Sequence, residues 1–353
     1  MERIKLILRL LSAVLMAVVV RTIRRMIRGP FVETWSWSVE LTVVAARAFV
    51  RASARNGDRA DRRALEAAFN PRLPRALRDV ISVRDGTVGG IDGEWHERRG
   101  NLHDRATMLY LHGGAYISGN PATHRRFAAQ LTWATHTRTF VAAYRIAPAD
   151  PFPAAVDDAL AAYEGLLDEG ADPEEIIVAG DSAGGGLTAA LLLRLRDEGK
   201  QLPAGSILFS PYTDLEHRGG SIRRNSQTDY LPLGEAGANT YYLGSADPHH
   251  PYASPIYGDF AGIPPMLIFA GGREMILDDS IRLTEAARRT GAQVDLVVEE
   301  DMFHVWPALL PNHPATKRTL ARSAEFIMEL KDEPSEPPKA ARTPRPRSVP
   351  PPT

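Results

Sequence analysis

The pentapeptide Gly180-Asp181-Ser182-Ala183-Gly184 stands directly after the short apolar run 176–179 and directly before a helical pattern over 183–198. A serine on a sharp strand-to-helix turn is lifted above the edge of a sheet, and flanking glycines let strand and helix approach each other. The turn also sets the hydroxyl at a helix N-terminus, where backbone N–H groups favour developing negative charge. Ser182 is therefore a candidate nucleophile, with Asp181 beside it as a supporting residue. A serine hydroxyl is a weak nucleophile, so this chemistry requires a histidine base and an acid that orients it.

Ten histidines are available, and chain order selects among them. On such sheets the order is serine, acid, histidine, each on a loop after a strand. His304 follows the β-rich run 293–299 at the right distance, whereas His249, His250 and His313 lie in loops or beside Pro314 and read as surface residues. The acid belongs in the loop after the run 265–270, where Glu274, Asp278 and Asp279 compete. Asp278 or Asp279 is placed to cap the helix that begins there, which leaves Glu274 as the expected acid and Asp278 as the alternative.

A tetrahedral oxyanion needs two or three preorganised backbone donors. His112-Gly113-Gly114-Ala115, straight after the apolar run 106–111, lets the backbone come close, and the amides of Gly113, Gly114 and Ala183 are the expected donors. His112 precedes the nucleophile in the chain and reads as a loop-shaping hydrogen-bonder rather than a base.

The elements that must position these residues alternate. A hairpin over 80–98, around Asp85-Gly86 and Gly89-Gly90, is followed by strands at 106–111, 139–144, 176–179, 205–209, 265–270 and 293–299. Helices at 154–169, 183–198, 279–290 and 314–331 complete the series. Strand and helix repeated in this way specify an α/β fold with a mostly parallel sheet covered on both faces and ligands at the carboxyl ends of the strands. Residues 31–78 read as helices outside the sheet, a cap that roofs the site together with about 210–260, and 79–332 as the catalytic domain. Residues 333–353, rich in proline, read as a disordered tail.

Composition closes off other chemistry. With 353 residues and no cysteine, thiolate nucleophiles, disulfides and cysteine-ligated metals are excluded, and neither a metal nor another cofactor is expected. The net charge of −1 offers no general attraction for nucleic acid. Residues 1–28 are the exception, with seven Lys or Arg against Glu2 alone. The uncharged stretch 10–20 is about 16 Å long as a helix, too short to cross a bilayer comfortably unless Lys5 and Arg9 snorkel to make a signal-anchor. A cleaved leader and a helix packed on the protein's own body are the alternatives. The expectation is a segment, bounded at about residue 30, that lies on an anionic membrane surface from the cytoplasmic side.

Taken together, His112-Gly113-Gly114, Tyr144-Arg145-Ile146-Ala147-Pro148, Gly180-Asp181-Ser182-Ala183-Gly184-Gly185, Ser210-Pro211-Tyr212-Thr213-Asp214-Leu215 and the late His304 resemble the hormone-sensitive-lipase-like (bacterial family IV) esterases of the α/β-hydrolase fold. The likeness runs from about residue 80 to 330. It implies Ser182 and His304 as nucleophile and base, Gly113 and Gly114 as oxyanion donors, and a cap built partly from residues before 80. Two positions depart from the family pattern: Ala115 stands where a third glycine is common, and Glu274-Met275-Ile276 where many members carry Asp-Pro-Leu. The expected activity is hydrolysis of short- to medium-chain acyl esters, with a small lipophilic ester as substrate. Acylglycerols, lactones and aryl formamides suit the same machinery. A non-catalytic binding protein on this fold would have dispensed with the serine, the histidine or the glycines, and all are present.

Overall fold

In the computed structural model, which describes residues 2–55, 73–100, 106–233 and 238–332, short β-rich runs line up as one eight-stranded sheet. The strands are β1 (Ile81–Val88), β2 (Ile91–Arg98), β3 (Thr107–Leu111), β4 (Arg138–Ala142), β5 (Ile176–Asp181), β6 (Gly205–Phe209), β7 (Met266–Gly271) and β8 (Val294–Glu299). Their order is β1-β2-β4-β3-β5-β6-β7-β8, antiparallel through β2 and parallel from β4 onward. The hairpin joining β1 to β2 turns at Gly89 and Gly90, both with positive φ, as a two-residue connection between twisted strands demands. Asp85 and Gly86 lie inside β1 rather than at a turn.

The long helices are α1 (Glu2–Arg28), α2 (Trp37–Arg55), α3 (Pro121–Thr135), α4 (Ala154–Asp168), α5 (Ala183–Asp197), α6 (Leu277–Arg289) and α7 (Pro314–Asp332). Successive residues of β3 alternate between the two faces of the sheet. Leu109 and Leu111 pack with Ala159 of α4 and Leu187 of α5, whereas Met108 and Tyr110 pack with Phe127 of α3 and Phe326 of α7. Trp35, Val39 and Val43 join the second of these cores, so the chain around α2 is fastened to the body of the protein. Residues 56–72 of the expected cap and the expected tail 333–353 lie outside the described residues. Helix α3 is absent from the expected series. Its few strongly apolar positions hide the period, but Asn120 and Thr123 form a reciprocal capping box ahead of it, with Pro121 at its first position.

One contact fixes the hairpin against the helix layer. A Cβ on Gly165 of α4 would stand 2.1 Å from the amide nitrogen of Gly89, and a Cβ on Gly89 would stand 1.8 Å from the carbonyl oxygen of Ala161. Gly→Ala inside a helix ordinarily gains up to about 1 kcal/mol. Here overpacking against backbone, at roughly 1–3 kcal/mol or more, outweighs that gain. Gly165→Ala is expected to lower the thermal midpoint of unfolding, and an unchanged or raised midpoint would show that the hairpin is free to move away.

Candidate active site

Strand β5 ends at Asp181 and helix α5 begins at Ala183, so the chain reverses direction within Ser182, at φ 53° and ψ −119°. This strained conformation is locked from several sides. The Ser182 amide donates to the Phe209 carbonyl of β6 (2.8 Å), and the Ser182 carbonyl accepts from Tyr212 (2.8 Å) and Gly186 (3.0 Å). The glycines on either side are required by space. A Cβ on Gly184 would lie 1.9 Å from the Leu111 carbonyl oxygen, and one on Gly180 2.3 Å from the Gly184 carbonyl oxygen.

His304 enters from the loop after β8, with its Nε2 2.9 Å from Ser182 Oγ and its Nδ1 3.5 Å from Glu274 Oε2. Glu274 and the His304 ring are buried, and the Glu274 carboxylate has no other side-chain or backbone donor among the described residues. The competing acids are engaged elsewhere. Asp278 accepts from the Ser221 amide (3.0 Å) and from Arg224 (2.9 Å), whereas Asp279 accepts from the amides of Thr213 (2.8 Å) and Asp214 (2.9 Å). Burial opposes charge on His304, but Glu274, followed by Asp229 and Asp181, outweighs it and holds the ring above its ordinary value of 6.5.

Two residues that sequence reasoning missed brace this histidine. Asp229, fully buried, accepts from the amides of His304 (3.3 Å) and Met275 (2.6 Å), and so links the loop of His304 to the loop of Glu274. Burial pushes its carboxyl up to about 6, against the pull of nearby His304 and the Met275 amide. Ser210 Oγ accepts from the Val305 amide (3.1 Å). Asp229 carries no sequence signal, since it lies in a connection whose packing is set by distant loops, whereas Ser210 opens the motif 210–215 but its contact with the Val305 backbone is not written there.

The oxyanion loop corrects one expectation. The Gly113 amide donates to Asp181 Oδ1 (2.9 Å), which also accepts from the Tyr110 hydroxyl (2.6 Å), so that amide is spent on a buried carboxylate. The amides of Gly114, Ala115 and Ala183 have no protein acceptor among the described residues, and Ala183 as the first residue of α5 has no carbonyl a turn before it. Ala115, with a positive φ of 54°, therefore presents an unengaged amide beside Gly114 where one is expected from Gly113. Gly113 is glycine for another reason, since a Cβ there would lie 2.2 Å from Asp181 Oδ2. His112 hydrogen-bonds through Nδ1 to the Gly113 carbonyl (2.9 Å) and stacks on Tyr144, with ring centres 4.3 Å apart. Burial, then neighbouring His124, lowers its pKa to about 3, which keeps it neutral.

Comparison with known proteins agrees with this fold. The family model described as alpha/beta hydrolase fold matches residues 108–308. An acetyl-hydrolase of Streptomyces hygroscopicus is 39% identical over 298 residues, 82% of this chain and 96% of that protein. An esterase of Acinetobacter venetianus is 34% identical over 254 residues, covering 71% and 83% of the two chains. Among solved structures, an esterase of the bacterial hormone-sensitive lipase family superposes with a TM-score of 0.76 at 36% identity, covering 84% of this chain and 99% of that one.

The charges around His304 determine the acid side of the pH profile. A base must be neutral to accept a proton, so the acid limb of kcat/KM is expected above pH 6.5. Glu274→Gln removes the anion that favours the charged ring, which should move that limb to lower pH and reduce kcat by roughly 10³–10⁴-fold. Asp229→Asn should move the limb in the same direction with a loss nearer 10–100-fold and KM kept, the pattern of a positioning residue. A limb that stays in place in both variants would show that neither carboxylate acts on the imidazole.

Proposed function

The chain belongs to the hormone-sensitive-lipase-like (bacterial family IV) esterases of the α/β-hydrolase fold and is a carboxylic ester hydrolase, and on that premise we propose that Ser182, His304 and Glu274 perform the hydrolysis. The observation that carries the assignment is the 2.9 Å contact between Ser182 Oγ and His304 Nε2 at a strand-to-helix turn. Ser182 Oγ attacks the ester carbonyl while His304 Nε2 takes its proton. The amides of Gly114, Ala115 and Ala183 receive the oxyanion. Collapse of the tetrahedral adduct expels the alcohol, protonated by His304, and leaves an acyl-serine. Water, deprotonated by His304, then releases the acid. Glu274 holds the Nδ1–H tautomer and stabilises the imidazolium.

We also propose a short acyl group. The volume beside the oxyanion loop is filled by the stacked rings of Tyr116 and Tyr242, with centres 3.7 Å apart, and by Phe152 edge-on to Tyr242. A Cβ on Gly186, one turn after the nucleophile, would lie 2.9 Å from the Tyr116 hydroxyl, which places that filled volume against α5. The relative from Streptomyces hygroscopicus is named an acetyl-hydrolase, which points the same way. No described helix is long and apolar enough to cross a membrane. Within this proposal residues 1–28, with their excess of arginine, hold the enzyme on the cytoplasmic face of a membrane, where anionic lipid supplies the complementary charge.

Hydrolysis of p-nitrophenyl esters from two to sixteen carbons tests both parts. Ser182→Ala is expected to lose roughly 10⁴-fold or more in kcat with substrate binding kept. Wild-type turnover should peak at two to four carbons. Retained turnover in the purified serine variant would refute the assignment, and a long-chain maximum would refute the short acyl group and make the enzyme a lipase.

A further inference from the structure

A helix on a water-facing protein turns its charges outward and its apolar residues inward. Helix α1 does the reverse at two of the four arginines of its second half, while its large apolar side chains stay outside. Arg21 and Arg25 point inward and fork onto the fully buried Glu40 of α2. Arg21 also donates to the Gly29 carbonyl (3.0 Å) and Arg25 to the Trp35 carbonyl (2.7 Å). On the outer side Leu11, Leu15, Val19, Ile23 and Ile27 recur every four residues with Met26 beside them, and each is between 45% and 75% exposed. The stripe is about 24 Å long at 1.5 Å per residue. A buried ion pair is at best about as stabilising as an apolar pair of the same shape. Stability in water therefore does not account for arginines inside and leucines outside. An apolar medium on the outer side does.

From this we infer that the outer stripe of α1 is a docking surface for an anionic lipid bilayer, with the helix lying flat and its apolar side chains in the upper acyl region. The inference deepens the membrane reading proposed above and rests on it. Charge selects the occupant. Residues 1–28 carry seven cations and one acid, so a second copy laid on the same stripe would bring like net charge against like, whereas lipid phosphate neutralises it. Arg24 and Arg28, exposed toward the end of the stripe, are placed for that contact. The depth is set as well, because the pairing of Arg21 and Arg25 with Glu40 keeps α1 against α2. The α1–α2 pair is itself tied to the loop that carries His304. Thr34 Oγ1 donates to Asp301 Oδ2 (2.7 Å), the Trp35 indole N–H donates to the Asp301 carbonyl, and Arg47 Nε donates to the Asp229 carbonyl (2.9 Å). The lipid-facing stripe and the histidine loop thus belong to one connected structure.

Flotation of the full-length protein with vesicles tests the inference, comparing phosphatidylcholine alone with phosphatidylcholine containing phosphatidylglycerol. The wild type is expected to float with the anionic vesicles, at least about tenfold more than with neutral ones, and to be released by salt. The double variant Leu15→Glu, Ile23→Glu should remain at the bottom while hydrolysing p-nitrophenyl acetate at the wild-type rate, which shows that it is folded. Arg24→Gln with Arg28→Gln should weaken anionic binding and its salt dependence. Wild-type protein that ignores anionic vesicles, or a stripe variant that floats as well as wild type, overturns the inference. So does a wild-type dimer that the stripe substitutions dissociate without any effect on flotation. Flotation reads lipid contact directly, so absence of turnover with normal flotation would refute the esterase reading alone.

Discussion

The approach of three backbone segments around Ser182 constrains everything else in the site. Strand β5 must end, the chain must turn through a single residue of positive φ, and α5 must start under the carbonyl of Leu111 at the end of β3. At that distance no side chain fits at Gly184, and Gly180 is closed by the same helix. The close approach brings the end of β3, and with it the oxyanion loop, beside the first amide of α5. Amides from two different elements therefore lie close together without a dedicated scaffold, because the parallel order of β3 and β5 already places their carboxyl ends side by side.

Two buried carboxylates convert this proximity into fixed geometry, and their surroundings treat them differently. Burial raises the pKa of both. At Asp181 it is outweighed by His124, the Tyr110 hydroxyl and the Gly113 amide, so the net shift is downward and the group stays ionised as the link between nucleophile turn and oxyanion loop. At Asp229 the donors are weaker in sum and Glu274 adds a like charge, so the net shift is upward, to about 6. The nucleophile side of the site is thus held by a charge that persists, and the histidine side by one that titrates. The difference has a structural origin. Both have a histidine as neighbour, but Asp181 also accepts from the Tyr110 hydroxyl, whereas Asp229 accepts from backbone amides and faces the like charge of Glu274.

What the sequence disclosed, and what it withheld, follow from the range over which each signal acts. The strand-helix alternation, the turn at Ser182 and the late His304 depend on residues adjacent in the chain, and pattern and chain order suffice for them. Capping logic reaches Glu274, the residue that lies beside the histidine, but on a premise the structure corrects: α6 has no side-chain cap, and Asp278 and Asp279, inside its first turn, are committed instead to amides of the 210–225 region. Local reasoning fails where one group's partner is remote. Gly113 has the glycine expected of an oxyanion loop, but its amide is claimed by a carboxylate 68 residues later. Asp229 is an ordinary loop residue until the fold delivers the backbone of His304 to it, and Ser210, though part of a recognisable motif, shows its contact with Val305 only in the folded chain. Helix α3 shows the same limit in milder form, since its start is written in Asn120-Pro121 but its buried face is too sparse to mark a period.

The N-terminal helix shows why charge counts and hydropathy are insufficient on their own. Seven cations near an apolar run describe equally a membrane anchor, a leader and a helix packed on its own protein. The three differ in which side the charges take, and that depends on a residue outside the segment, Glu40. By drawing Arg21 and Arg25 inward, Glu40 uses the positive charge nearest the body of the protein to hold α1 in place and turns the apolar side away from it. The same pairing sets α1 beside the chain that grips Asp301 and packs Trp35 edge-on against Phe303, next to the histidine. The pairing with Glu40 therefore fixes which side of α1 faces away from the sheet, and it does so on the flank that carries the loop of His304.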